Sequence, residues 1–280
     1  MNKFLSLLGA MLIFTLGACT PPKAVLKSSQ QVLAEIEPHY RISKPKGSGP
    51  FPTVIVLHGA SDNAWYDHFK KVTGRLNEAG FATIFVDSYS GRGINGVSVR
   101  GGRLLPPERA SDLLVTLDWA TKQPWVKKNG IGALGYSHGG ATIMDALVLA
   151  PPARKPNGLT DVPATGLTPL KAGVLFYPWC ADDIAGIELT KAYDEDWSVQ
   201  TPLLAFLPDN DQVSDIDLCK AILSRHENKG FPVQQVVLTG VGHTFDQITD
   251  DHGNPQNTYD AMAAQESYEA SLRFFTENLK

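Results

Sequence analysis

Three residue types spread along this chain could together cleave an acyl bond. Ser137 stands in "LGYSHGG", where Gly135, Ser137 and Gly139 satisfy Gly-x-Ser-x-Gly. A serine hydroxyl is a weak nucleophile near neutral pH. It needs a base within hydrogen-bond reach, and the base needs a carboxylate to orient it. Seven histidines compete for the role of base. His39 and His68 suit surface or packing positions, and His226 and His252 lie in polar segments. His58 and His138 sit beside other motif positions. His243, in "VVLTGVGHTFD", follows the last apolar run and is the expected base. Its rival reading is a loop histidine satisfied by Asp246. Asp211, in "LLAFLPDNDQVS", is the expected acid, with Asp209 as the alternative. Asp215 and Asp217 better suit the start of the following helix. A tetrahedral intermediate also needs oxyanion donors. The backbone N–H of His138 is one. The second is expected from "LHGASD", at Ala60 with Ser61 as alternative, and His58 shapes that loop.

The elements around these residues must carry them to one place. "TVIVLHG", "FATIFVDS", "GIGALGYS", "KAGVLFYP", "TPLLAFLP" and "FPVQQVVLTG" are apolar runs of strand-forming residues. Runs without alternation suit strands buried on both faces of a parallel sheet. Helical patterns separate several of them: Trp65 to Gly80, Pro107 to Pro124, Gly139 to Ala150 and Asp215 to Gly230. A long helix closes the chain. "VLAEIEPHYRIS", Val32 to Ser43, is expected as one or two strands with a break at proline. The alternation predicts an α/β fold: an open, mostly parallel sheet with helices on both faces. Ser137 then falls at a strand–turn–helix bend, and Asp211 and His243 follow it at later strand ends. That order fits a nucleophile elbow.

From about Thr53 to its C-terminus the chain resembles the dienelactone hydrolase family of the α/β-hydrolase superfamily. "VIVLHG", "FATIFVDSYSGRG", "ALGYSHGG", "LFYPWC", "PDNDQVSDIDLC" and "GVGHTFD" carry the resemblance. It implies the α/β-hydrolase fold, hydrolysis of a small-molecule ester and no cofactor. "PDNDQVS" resembles the acid-bearing turn of such hydrolases, with Pro208 where a glycine is usual. Dienelactone hydrolases themselves use cysteine as nucleophile, and this chain has Ser137. The reading therefore moves to a serine carboxylesterase acting through an acyl-enzyme. A peptidase or thioesterase on the same triad is the alternative, and a non-catalytic envelope lipoprotein is a third reading.

The chain has 280 residues, 43% hydrophobic and 19% charged, with a formal net charge of -4. It lacks a long basic run, which argues against a nucleic-acid partner. It also lacks the glycine-rich dinucleotide and P-loop patterns and clusters with metal-ligand spacing. Residues 1–18 read as a signal peptide, with the uncharged run "FLSLLGAMLIFTLGA". "LGAC", Leu16 to Cys19, resembles a bacterial lipobox, in which Cys19 would be lipidated. Thr20, rather than aspartate, points in that resemblance to the periplasmic face of the outer membrane. Contact with the membrane would be through this lipid anchor only. Residues 19–30 are then a tether and residues 31–280 the hydrolase domain. Of three cysteines, Cys180 and Cys219 remain. In an oxidising compartment they are expected to pair; two buried thiols are the alternative. The resemblance places both at the ends of neighbouring strands or in their loops.

The loop Asp87 to Arg109 carries four arginines and five glycines beside the expected active face. Arg92, Arg100 or Arg103 could fork the carboxylate of an acidic substrate; the alternative is that they hold the loop itself. Residues 151–170 and 181–200 are the only candidate lids. Both are short and polar, which favours small or medium acyl groups over long lipid chains. Asp182, Asp183, Asp194, Glu195 and Asp196 are expected to form a solvated acidic edge.

Overall fold

Along one central strand, Val54 and Val56 enter one hydrophobic core while Ile55 and Leu57 enter another. Successive side chains of a strand point to opposite faces, so a run apolar at every position needs cover on both sides. The computed structural model shows that cover. It describes residues 25–148, 155–181, 183–184, 187–188, 196–197 and 199–280.

Nine strands and seven helices are described: α1 (Ser29–Ile36), β1 (Arg41–Ser43), β2 (Phe51–Leu57), α2 (Asp67–Glu78), β3 (Ala82–Val86), α3 (Gly96–Arg100), α4 (Pro106–Thr121), β4 (Val126–Tyr136), α5 (His138–Val148), β5 (Leu170–Phe176), β6 (Asp183–Ile184), β7 (Ile187–Glu188), β8 (Leu203–Pro208), α6 (Ile216–Glu227), β9 (Val233–Leu238) and α7 (Ala261–Leu279). Seven strands form the main sheet in the order β1-β3-β2-β4-β5-β8-β9, and β6 and β7 make a separate small hairpin. Only β1 runs antiparallel to its neighbour in the main sheet. Helices α1, α4, α5 and α6 cover one face, and α2 and α7 the other. The chain steps from β2 outward to β3 and then back across to β4. That reversal opens a crevice at the carboxyl ends of β2 and β4, where ligands of open α/β sheets bind. Leu57 pairs with Gly135 in the register, so "HGA" and the serine bend leave the sheet side by side.

The sequence expectation fails at Val32–Ile36, which is helix rather than strand. Ser28 and Gln31 form a reciprocal capping box that starts α1. Val32 and Ile36, one turn apart, are buried beside α4. Pro38 sits in a 3₁₀ turn, and only Arg41–Ser43 pair as strand. The end of the expected tether is also docked. Lys27 exchanges 2.8 Å backbone bonds with Gly158 and Thr160, and Ser29 N–H donates to Asp161 at 2.7 Å. Lys27 and Ser29 thus belong to the folded unit. The signal segment, Cys19, Asp182, Asp194, Glu195 and parts of both lid candidates lie outside the described residues. Asp196 is exposed and pairs with Lys229.

Cys180, just beyond β5, is bonded to Cys219 on the first turn of α6 across 39 residues. A cross-link of that span stabilises by about 4 kcal/mol in the chain-entropy model. The double variant Cys180→Ser/Cys219→Ser is expected to melt roughly 10 °C lower in calorimetry. An unchanged melting point would show that the bond contributes nothing to the stability of the domain.

Candidate active site

β4 ends at Tyr136 and α5 begins at His138, leaving Ser137 alone at the bend with φ of 49°. Side chains rarely adopt this left-handed conformation. It is held by Ser137 N–H donating to Phe176 O at 2.9 Å, and by Trp179 N–H donating to Ser137 O at 3.0 Å. Both motif glycines are sterically required. A Cβ on Gly135 would collide with the Gly139 backbone, and one on Gly139 with the Leu57 carbonyl. Leu104, Tyr177 and Thr244 are the other non-glycine residues at positive φ. Thr244 follows His243 directly, and Tyr177 comes just after β5 with its ring 4.6 Å from that of His243.

His243 Nε2 lies 2.9 Å from Ser137 Oγ, and His243 Nδ1 lies 2.6 Å from Asp211 Oδ2. A carboxylate accepts, so Nδ1 carries the proton and the Nε2 lone pair faces the serine. Asp211 has a fully covered side chain, and its Oδ1 accepts the Val213 and Ser214 N–H groups at 2.8 and 2.9 Å. The rival Asp209 instead accepts the Gly240 N–H at 2.6 Å. Asp246 does not satisfy His243. It accepts from Tyr177 OH at 2.8 Å and lies 3.6 Å from His68. Burial raises the Asp246 carboxyl and lowers the His68 imidazole. A chain from Tyr66 OH through Gln247 to Tyr177 completes this buried brace behind the His243 ring.

His138 is adjacent to the serine but is not placed as a base. Its ring is buried, and Nδ1 lies 3.2 Å from Arg109 Nη1. Burial, and then the Arg109 charge, hold it well below the usual imidazole range. Its backbone N–H opens α5, where helix geometry favours an anion. On the facing loop, Gly59 abuts the serine: a Cβ there would stand 3.4 Å from Ser137 Cβ. Ala60 follows, and neither its N–H nor that of His138 has an acceptor among the described residues.

The arginines depart from the substrate-anchor expectation. Arg92 forks Asp112 at 2.6 and 2.9 Å and donates to Ser88 O at 2.8 Å. Arg100 binds the Ala60 carbonyl and Asp62. Arg103 is exposed at a cavity of about 320 Å³ beside α1 and α4, which neither Ser137 nor His243 lines. The loop is thus largely held by its own arginines, the alternative reading of that sequence. The cleft that His243 does line, about 480 Å³, is walled by Asn210, Gln212, Gln256 and Asn257 among others, with Asp260 as its one carboxylate and without lysine or arginine. Sequence reasoning missed Tyr89, Arg109 and Tyr177. Arg109 did leave a signal, since it shares a helical face with Leu113 and Leu117.

Residues 158–279 match the dienelactone hydrolase family model, and residues 37–156 match that of the X-Pro dipeptidyl-peptidase (S15) family. A protein of Klebsiella pneumoniae assigned as a dienelactone hydrolase superposes with a TM-score of 0.65 at 17% identity, covering 85% of this chain and 92% of its own. The chain has the α/β-hydrolase fold. Esterase 2 of Thermogutta terrifontis, solved with butyrate, shares the fold with a TM-score of 0.60 at 15% identity, over 85% of this chain and 88% of its own. A dienelactone hydrolase-like promiscuous phosphotriesterase from metagenomic libraries gives 0.60 at 23%, over 86% and 99%. An uncharacterised 31.7 kDa Escherichia coli protein from the traX-finO intergenic region is 33% identical over 104 residues, 36% of this chain. The match spans about a third of that relative, 34% of its length.

Proposed function

We propose that this hydrolase cleaves small or medium carboxylic esters through an acyl-enzyme on Ser137. The observation that carries the reading is the hydrogen-bonded row Asp211, His243, Ser137. Ser137 Oγ attacks the ester carbonyl while His243 Nε2 takes its proton. The oxyanion accepts from the N–H groups of His138 and Ala60. Collapse breaks the ester C–O bond, and His243 returns the proton to the departing alcohol. Water then attacks the acyl-enzyme with His243 as base, releasing the carboxylic acid and restoring Ser137. Asp211 holds the imidazole in the required tautomer throughout. Butyrate in the Thermogutta esterase supports a short acyl group here. The cleft lined by His243 holds no lysine or arginine and one carboxylate, Asp260, which favours neutral over anionic substrates.

The S15 match over residues 37–156 supports a second reading, a peptidase on the same triad. One panel separates the two. The purified wild type is expected to take a fluorophosphonate label and to turn over p-nitrophenyl acetate and butyrate. It should turn over p-nitrophenyl hemisuccinate more slowly, and leave a dipeptidyl p-nitroanilide with proline before the bond intact. Absence of both label and ester turnover would remove the leading reading; preferred anilide cleavage would install the second. The lipobox-like "LGAC" supports attachment to the outer membrane. Labelled protein should fractionate with that membrane and leave it in Cys19→Ser.

A further inference from the structure

Each carbonyl of His58, Gly59 and Ala60 is gripped by a side chain. Arg109 Nη1 donates to His58 O at 2.7 Å. Tyr89 OH donates to Gly59 O at 3.1 Å, and His58 Nδ1 lies 2.7 Å from the same oxygen. Arg100 holds Ala60 O. The His58 tautomer is settled by its other nitrogen: Nε2 accepts the Ser88 N–H at 3.2 Å, so Nδ1 is the donor. Burial, and then Arg109, keep this imidazole well below its usual range, consistent with a neutral ring. Tyr89 is also buried, and its phenol is pushed up to about 12 by burial, so it keeps the proton it donates. Asp87 fixes the start of its loop, accepting the N–H groups of Tyr89 and Ser90 at 3.0 and 2.9 Å.

These grips have a directional consequence. In a planar trans peptide the C=O and the following N–H point opposite ways. The Gly59 carbonyl is turned towards Tyr89, so the Ala60 N–H is turned away from it. The same logic holds across the cleft. Ser137 O accepts from Trp179 N–H and Ala141 N–H, both at 3.0 Å, which turns the His138 N–H the other way. Arg109 joins the two sides. It is fully buried, bonded to the His58 carbonyl on one side and the His138 ring on the other, with Ser88 Oγ at 2.9 Å. Its hydrogen bonds all go to neutral groups, so a buried positive charge stands between the two segments that carry the donor N–H groups.

We propose that Tyr89 and Arg109 are positioning residues of the oxyanion hole, gripping the Gly59 and His58 carbonyls so that the Ala60 N–H meets the developing oxyanion. This rests on the ester-hydrolase reading. Neither residue touches substrate; both act through the backbone. Tyr89→Phe deletes one hydroxyl and keeps the ring. It is expected to lower kcat about tenfold, less than loss of a direct donor, with KM within about twofold. A trifluoromethyl ketone, which forms a tetrahedral adduct on Ser137, should bind about tenfold more weakly, while inhibition by butyrate stays unchanged. A purely structural role would move both inhibitors or neither. Arg109→Lys, checked for folding by its melting curve, should show the same split; if it does not fold, Tyr89→Phe alone decides. An active wild type with Tyr89→Phe at full kcat, or with both inhibitors weakened alike, would overturn the proposal. A wild type without ester turnover would instead overturn the reading beneath it.

Discussion

Ser137→Ala is expected to lower kcat on p-nitrophenyl butyrate by about 10⁶-fold and to abolish fluorophosphonate labelling. The size follows from geometry. The bend presents Oγ to His243 Nε2 at 2.9 Å. Removing it leaves the base with no hydroxyl to deprotonate at that point. Residual catalysis of about 10³–10⁴ over water would come from the oxyanion donors and substrate binding. The fold should survive, because serine and alanine pay the same steric cost at φ of 49° and the bend is held by backbone bonds. Equal melting points, with label lost, are the expected pair of results. A folded variant retaining a per cent of wild-type turnover would exclude Ser137 as nucleophile.

Asp211→Asn should lower kcat by about 10⁴-fold, and Asp209→Asn by less than about threefold. Two backbone N–H groups, from Val213 and Ser214, point at Asp211 Oδ1. An asparagine must keep its oxygen there, since its amide nitrogen has no lone pair for those donors. Its NH₂ then faces His243 Nδ1 and donates. The imidazole proton moves to Nε2, which can no longer accept from Ser137. Asp209 holds only the Gly240 N–H, so its amide substitution leaves the histidine alone. Steady-state kinetics on the two variants decides the acid. The reverse order of effects would transfer the role to Asp209.

The elements that carry this row were legible because their signals are local. Unbroken apolar runs announced the buried strands, and the glycine spacing at 135 and 139 announced the bend. The misreading at Val32–Ile36 is also local in origin. β-branched residues in a short segment read as strand, while the Ser28–Gln31 capping box and the spacing of Val32 and Ile36 specify helix. The arginines failed for a different reason. A guanidinium in a loop reads the same whether its carboxylate is a ligand's or the protein's own. Asp112, on α4, and Asp62, on a different loop, became partners of Arg92 and Arg100 only when these segments folded together.

By itself the sequence determined the strand–helix alternation and the serine bend, since each depends on residues close in sequence, and it put Asp211 and His243 after later strand runs in the order a nucleophile elbow requires. It also narrowed the acid to two carboxylates two positions apart. Only the tertiary structure placed Asp211 rather than Asp209 beside His243, joined Cys180 to Cys219, and brought Tyr89 and Arg109 against the carbonyls of Gly59 and His58. Those outcomes turn on ångström distances between segments 30 to 51 residues apart. Such distances are set by how loops cross the end of the sheet, and no local pattern encodes them.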